Sequence, residues 1–397
     1  MSEQNLFEDS DDLPEDEVLE IPKEIRRLKI QTFDYPVEVI VKKIKDGDIV
    51  LRPEYQRDFI WERKKSISLI ESILLNIPLP PIYLAEEDDS TLSVIDGLQR
   101  LHTFLDYYDD KFPLNGLKGE GLSELNKLTY SGLVKNYPKA KRILNQGIIR
   151  IIVINKDSDS DIKYDIFERL NSGSTKLNDQ EVRNCIYHGS LNSLIMGSYD
   201  KDKQTYKKNG LRHNNILQKA MNLEEAHSRY LDAEVVLRVL SIIKYGNDID
   251  TKYKSSMKLL INLYMNENKN LTDSLLQDVK NLFNETITKI YQVFGSKAFK
   301  RFHKDDIEKS LNRSIMDCLV FSFSKYSLDT LITNKEAIVN KMDDMLNNSS
   351  NNYIYHDDIY SIDLSFKESV TNWTSSKSRL KARLSLWSKS LEEIMGY

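Results

Sequence analysis

Between Leu92 and Tyr108 the spacing of apolar side chains changes from that of a strand to that of a helix. The short apolar run Leu92-Ser93-Val94-Ile95 breaks at Asp96-Gly97, and apolar residues resume at 98, 101, 104, 105 and 108. Such a switch predicts a strand, a tight turn and a helix. The stretch Asp96-Gly97-Leu98-Gln99-Arg100 then falls at a helix N-terminus, where free backbone N–H groups and the positive end of the dipole attract anions. Arg100, in the first turn, adds a planar fork suited to phosphate or carboxylate. The same five residues also fit an ordinary Asp-Gly turn followed by a solvated arginine, and by themselves they do not decide between the two.

The remaining pattern extends this alternation of elements. Residues 30–50 predict a short strand and the helix VEVIVKKIKDG. Residues 62–76 predict a helix with Ile67, Ile70 and Leu74 on one face, stopped by Pro78, Pro80 and Pro81. IYLA and TLSVI, separated by EEDDS, predict a hairpin whose second strand leads into Asp96. Residues 111–147 read as mixed helix and loop, IIRIIVI at 148–154 as a strand, DIKYDIFERL as a helix and NSGSTKL as a turn. Asn178 opens a further helix, with Glu181 in capping-box spacing. Beyond a polar loop at 199–215, helical period dominates at 232–245, 259–268, 272–294, 306–326, 327–347 and 366–395. The expected class is α+β: a small α/β domain at 21–190 followed by an α-helical domain at 191–397.

Composition narrows the possibilities. No run approaches the roughly 20 apolar residues of a membrane helix, and the N-terminus lacks the basic-then-apolar pattern of a signal peptide, so no membrane contact is expected. Cys185 and Cys318 are the two cysteines and have no metal-site spacing, which favours a reducing cytoplasm. The chain carries a net charge of −5, and its first 20 residues hold nine acids and no base, leaving +4 for the rest. Residues 1–20 read as an acidic disordered tail, and the mildly basic remainder permits nucleic-acid contact without demanding it.

Three further clusters carry candidate chemistry. Tyr55-Gln56-Arg57, close to Phe59 and Trp61, combines aromatic rings with a guanidinium, which suits a planar phosphorylated ligand or, equally, a packed aromatic core. The run Phe167 to Asn178, with Arg169, Asn171 and Gly173, can form an anion-holding loop or a plain helix corner. The basic amphipathic segment SSKSRLKARLSLWSKSL suits either DNA backbone contact or a solvated face on a packed helix.

Taken in order, PEYQRDFIW, IPLPPIYL, VIDGLQR and FERLNSGSTKLNDQEVRN resemble the N-terminal domain of GmrSD-type restriction enzymes, a ParB/sulfiredoxin-like fold. The family's core motif usually reads DGQQR, so Asp96, Gly97, Gln99 and Arg100 match and Leu98 departs. RYLDAEVVLRVL and LNRSIMDCL are similar to the family's helical half, which carries the resemblance over residues 25–395. It implies nucleotide binding with Mg²⁺-dependent NTP hydrolysis in systems that restrict modified foreign DNA. Asp96 would hold the metal ion or orient water, Gly97 would let backbone approach the phosphates, and Gln99 and Arg100 would contact them. Tyr55, Gln56 and Arg57 would add nucleotide contacts, and Arg169 and Asn171 would line the pocket from another loop. The six histidines show no His-Asn-His spacing, so a separate nuclease subunit is the expected partner beside nucleotide and DNA, with a homo-oligomer as the expected assembly. The alternatives are a non-enzymatic DNA-binding or regulatory module of the same fold, and a ParB-like DNA nickase.

Overall fold

The computed structural model describes residues 28–51, 61–158, 160–170, 178–200, 205–254, 256–348, 352–356, 361–371 and 373–396. The chain divides into two compact units, Ile21–Ile186 and Tyr187–Tyr397. The architecture is α+β.

The first unit runs β1 (Ile30–Pro36), α1 (Val37–Lys45), β2 (Ile49–Val50), α2 (Arg63–Leu74), β3 (Ile82–Glu86), β4 (Leu92–Asp96), α3 (Leu98–Tyr108), α4 (Tyr130–Asn136), α5 (Pro138–Gln146), β5 (Ile148–Ile154), α6 (Ser160–Leu170) and α7 (Asp179–Ile186). Its five strands form one mixed sheet in the order β1-β5-β3-β4-β2. β1 pairs antiparallel with β5 and β3 with β4, while β3 with β5 and β2 with β4 are parallel. The β3–β4 hairpin carries an irregularity: Tyr83 faces Asp96 but Leu84 faces Val94. The strand therefore bulges just before the Asp-Gly turn, a common device for re-aiming a strand end.

Helices α1, α2 and α3 supply one face of a single core. Val37, Ile40, Ile70, Leu101 and Phe104 are fully buried there with Leu84 and Ile151 from the sheet. Burying each such side chain is worth about 1.5–3 kcal/mol. The predicted elements of this unit are present, and residues 111–147 resolve into a 3₁₀ turn at Ser123–Leu125 followed by α4 and α5. The expected turn at 171–177 lies outside the described residues.

The second unit contains α8 (Ser190–Met196), α9 (Asn215–Ala220), α10 (Leu231–Tyr245), α11 (Ile249–Lys252), α12 (Met257–Glu267), α13 (Asp273–Phe294), α14 (Arg313–Phe323), α15 (Leu328–Thr333), α16 (Lys335–Asn347), α17 (Phe366–Ser369) and α18 (Lys377–Met395). Periodicity merged several of these helices. The segment 327–347 is α15 and α16, with no side-chain cap at the Asn334 junction, and 366–395 is α17 and α18, where the Ser376 side chain accepts the Arg379 N–H and starts α18 anew. Among the described residues three two-stranded hairpins also interrupt the helices, the longest pairing Asn352–His356 with Ser361–Ser365. The unit is thus mainly helical rather than purely so. Among the described residues no helix is long and apolar enough to cross a membrane.

A buried charge cluster joins α10, α14 and α18. Asp317 accepts from Arg238 at 2.9 and 3.0 Å and from Arg383 at 2.7 Å, with all three side chains almost wholly inaccessible. Arg383 also donates to the carbonyls of Thr374 and Ser369. Lys381, two residues earlier on α18, pairs with Asp250 at 2.7 Å. Two central cations of the basic C-terminal segment are therefore occupied within the unit, which favours the packed-helix reading over DNA contact.

Candidate functional site

The Gly97 turn joins β4 to α3, and glycine is required there for two reasons. Its φ is +99°, in the left-handed region. A Cβ would also stand 2.8 Å from Ile82 Cγ1 and 3.1 Å from the Arg100 guanidinium. No side chain caps the start of α3, so the first-turn N–H groups of this 11-residue helix are left to backbone, water or a ligand. This is the helix-start geometry the sequence predicts.

Arg100 lies across this turn. Its Nη2 donates to Asp96 Oδ2 at 2.7 Å and to the Pro81 carbonyl at 3.0 Å, and its Nη1 donates to the Pro80 carbonyl. The side chain is 11% exposed against 38% for Asp96. Burial pulls the guanidinium below its ordinary pKa, and the Asp96 carboxylate opposes that shift. Arg100 is thus a clamp: it fixes the proline turn ahead of β3 to the end of β4 and leaves the Asp96 carboxylate as the more accessible partner. Leu98, where the family motif usually has Gln, is 4% exposed and packs inward.

Gln99 makes a second link. Its Oε1 accepts the Trp61 backbone N–H at 3.2 Å, and α3 is further tied to α2 through Thr103 and Ser66. Trp61 ends the segment that carries Tyr55, Gln56 and Arg57. Those three residues lie outside the described residues.

A groove of about 510 Å³ opens beside Trp61 along α2, lined by Lys64, Lys65, Ser68, Leu69 and Ser72 together with the acidic Glu62. An aromatic ring, two cations and two hydroxyls are groups that a phosphorylated planar ligand uses. His102, one turn beyond Gln99, is held below its ordinary pKa by burial, with Asp106 opposing. Sequence reading passed over both features, because Lys64 and Lys65 look like a solvated helix start and His102 belongs to no motif.

The third predicted cluster is only partly assembled. α6 packs beside β4, but Arg169 pairs with Asp165 on its own helix at 3.1 Å and is 75% exposed. Among the described residues no hydrogen bond joins Arg169 to the Gly97 turn, and Asn171 lies outside them. The predicted capping box at the start of α7 is present. The Asn178 N–H donates to Glu181 Oε2 at 2.7 Å and the Glu181 N–H to Asn178 Oδ1 at 2.8 Å. Buried Arg183 and Gln180 continue that polar face, joined at 3.2 Å.

Among the described residues no three His, Cys, Asp or Glu side chains group as metal ligands. A nucleotide-borne Mg²⁺ needs less, since it commonly takes one or two carboxylates together with phosphate oxygens and water. Asp96, partly exposed beside the uncapped helix start, fits that limited demand.

Residues 37–188 match a protein family described as the GmrSD restriction endonuclease, N-terminal domain. No curated protein matches the chain. The match runs from α1 through α7 and ends two residues into the helical unit, so the sequence resemblance seen in RYLDAEVVLRVL and LNRSIMDCL is not covered by it.

Proposed function

We propose that this chain, whose residues 37–188 match the GmrSD restriction endonuclease N-terminal domain family, is a nucleotide-binding component of a DNA restriction or anti-phage defence system. The observation that carries the reading is the uncapped start of α3 behind the left-handed Gly97, flanked by Asp96 and by the Gln99–Trp61 tether. Phosphate oxygens would lie against the first-turn N–H groups, where the helix dipole favours negative charge. Asp96 would hold the Mg²⁺ that accompanies the phosphates, the ion supplying charge neutralisation there. Trp61 would take the base, and Tyr55, Gln56, Arg57, Arg169 and Asn171 would add the further nucleotide contacts that the family resemblance implies. Arg100 acts as a positioning residue, since Pro80, Pro81 and Asp96 already engage its guanidinium.

Hydrolysis is the finer part of the proposal. Gln99 retains its amide nitrogen for orienting water while its oxygen holds Trp61, and Asp96 stands one turn away. DNA cleavage is assigned to a separate nuclease subunit. A second reading, a regulatory module that binds nucleotide or DNA without turnover, is favoured by the prior engagement of Arg100.

Phosphate release from each of the four NTPs with Mg²⁺, compared between the wild type and Asp96→Asn, separates the two. Release that Asp96→Asn abolishes supports hydrolysis. Nucleotide binding without release above the Asp96→Asn background supports the regulatory module, and neither binding nor release contradicts both.

A further inference from the structure

We propose that the α4–α5 corner of the first unit is a docking surface for the phosphate backbone of duplex DNA. The proposal rests on the restriction-system reading for its choice of partner, but not on nucleotide binding at the Gly97 turn.

The charge pattern is the first observation. From Asn126 to Lys156 the chain contains no acidic residue, while Lys127, Lys135, Lys139, Lys141, Arg142, Arg150 and Lys156 are basic. The whole chain has the opposite balance, 61 acids against 56 bases. Arg150 is neutralised by Asp34 at 2.9 Å. Among the described residues no ion pair involves Lys135, Lys139, Lys141 or Arg142, so their charge is uncompensated by direct contact.

Geometry is the second. Lys135 ends α4, and Lys139 and Arg142 stand at i and i+3 on α5, which places them on one helix face together with Gln146; all four are exposed. The start of α5 lies between Lys135 and Lys139. Pro138 occupies the first turn and no side chain caps this nine-residue helix, so its next N–H groups have no side-chain acceptor. Backbone N–H groups at a helix start flanked by Lys and Arg form a recurrent phosphate contact on DNA. Nearby acids do not offset the face. Asp110 caps the far end of α4 through the Ser131 N–H at 2.8 Å, and Glu38 accepts from buried Asn145 on the opposite side of α5.

Phosphate contact of this kind is independent of sequence and falls steeply with salt. The test is fluorescence anisotropy of the full chain with a random-sequence duplex between 50 and 200 mM salt, on the wild type and on a Lys135→Ala, Lys139→Ala, Arg142→Ala triple variant. These exposed helix positions tolerate alanine, and a thermal melt checks that the fold is retained. Lys111→Ala, whose lysine pairs with Asp106, serves as a control for general charge loss. The triple variant should lose affinity about ten-fold or more, and the slope of log K against log salt should shrink by about 0.9 for each lost phosphate contact. The single Arg142→Ala variant should lose part of both, and Lys111→Ala neither. Unchanged affinity and slope in a folded triple variant would overturn the proposal, as would wild-type chain that binds no duplex at 50 mM salt or prefers single-stranded RNA of equal length. Nucleotide binding measured on the same triple variant should be unaltered, which separates failure at this surface from failure of the Gly97 site.

Discussion

Arg100 donates to Asp96 at 2.7 Å across one helical turn, so the two charged residues of the turn neutralise one another in part while remaining unequal in exposure. The buried guanidinium is spent on fold, and the carboxylate faces outward. Arg100→Ala should therefore act first on stability, by about 2–3 kcal/mol, because it leaves two proline carbonyls and a carboxylate without their donor. Arg100→Lys should recover little, since a single ammonium cannot reproduce three bonds from a planar fork. The shift in the melting curve checks both.

Gly97→Ala should destabilise the first unit by about 2 kcal/mol or more, through the left-handed φ and the approach to Ile82. Adding Ile82→Val removes only the outer methyl and keeps both γ carbons that meet the new Cβ, and it leaves the backbone strain in place. The double variant should therefore recover little of the loss in a denaturant titration.

Asp317 holds two buried guanidiniums. Asp317→Asn would leave net positive charge in the interior of the helical unit, at a cost of about 3–5 kcal/mol. Lys381→Ala, which breaks an exposed pair with Asp250, should cost under about 1 kcal/mol. Comparable effects from the two substitutions in parallel thermal melts would refute the assignment of Asp317 as the central tie.

His102 and His213 are both held below their ordinary value of 6.5, chiefly by burial, with Arg212 adding to the effect at His213. The unfolded chain then binds their protons first as pH falls, so stability is fullest above 6.5 and declines as pH drops below it. Carboxylates with lowered pKa, such as Asp110 beneath the α4 N-terminus, withdraw their contribution only at more acidic pH. His102→Gln should flatten part of the decline just below pH 6.5 and leave the acidic limb unchanged, measured as melting temperature against pH.

The parts legible in sequence were those set by local chemistry. The change of period at Asp96-Gly97 gave the β4–α3 turn, and Asn178 with Glu181 gave the α7 cap, because both depend on neighbours within four residues. The partners of Arg100 were hidden, since Pro80 and Pro81 reach it only when β3 pairs with β4. Arg238, Asp317 and Arg383 could not be linked from sequence because they lie on three helices and meet only through packing. The Ser376 cap separates two helices that apolar period reads as one, and the Asn312 cap starts α14 later than its period suggests. The acid-free run from Asn126 to Lys156 was visible all along, but averaging charge over the whole body concealed it.

The central claim is that nucleotide phosphates are held at the Gly97 turn with Asp96. Calorimetric titration of the full chain with ATP, GTP, CTP and UTP, with and without Mg²⁺, tests it most directly when the wild type is compared with Asp96→Ala and with Lys111→Ala. Binding of at least one nucleotide that is strengthened by Mg²⁺, lost in a folded Asp96→Ala variant and intact in Lys111→Ala is the predicted result. Binding that survives Asp96→Ala with its Mg²⁺ dependence unchanged, or no binding by the wild type, would contradict it.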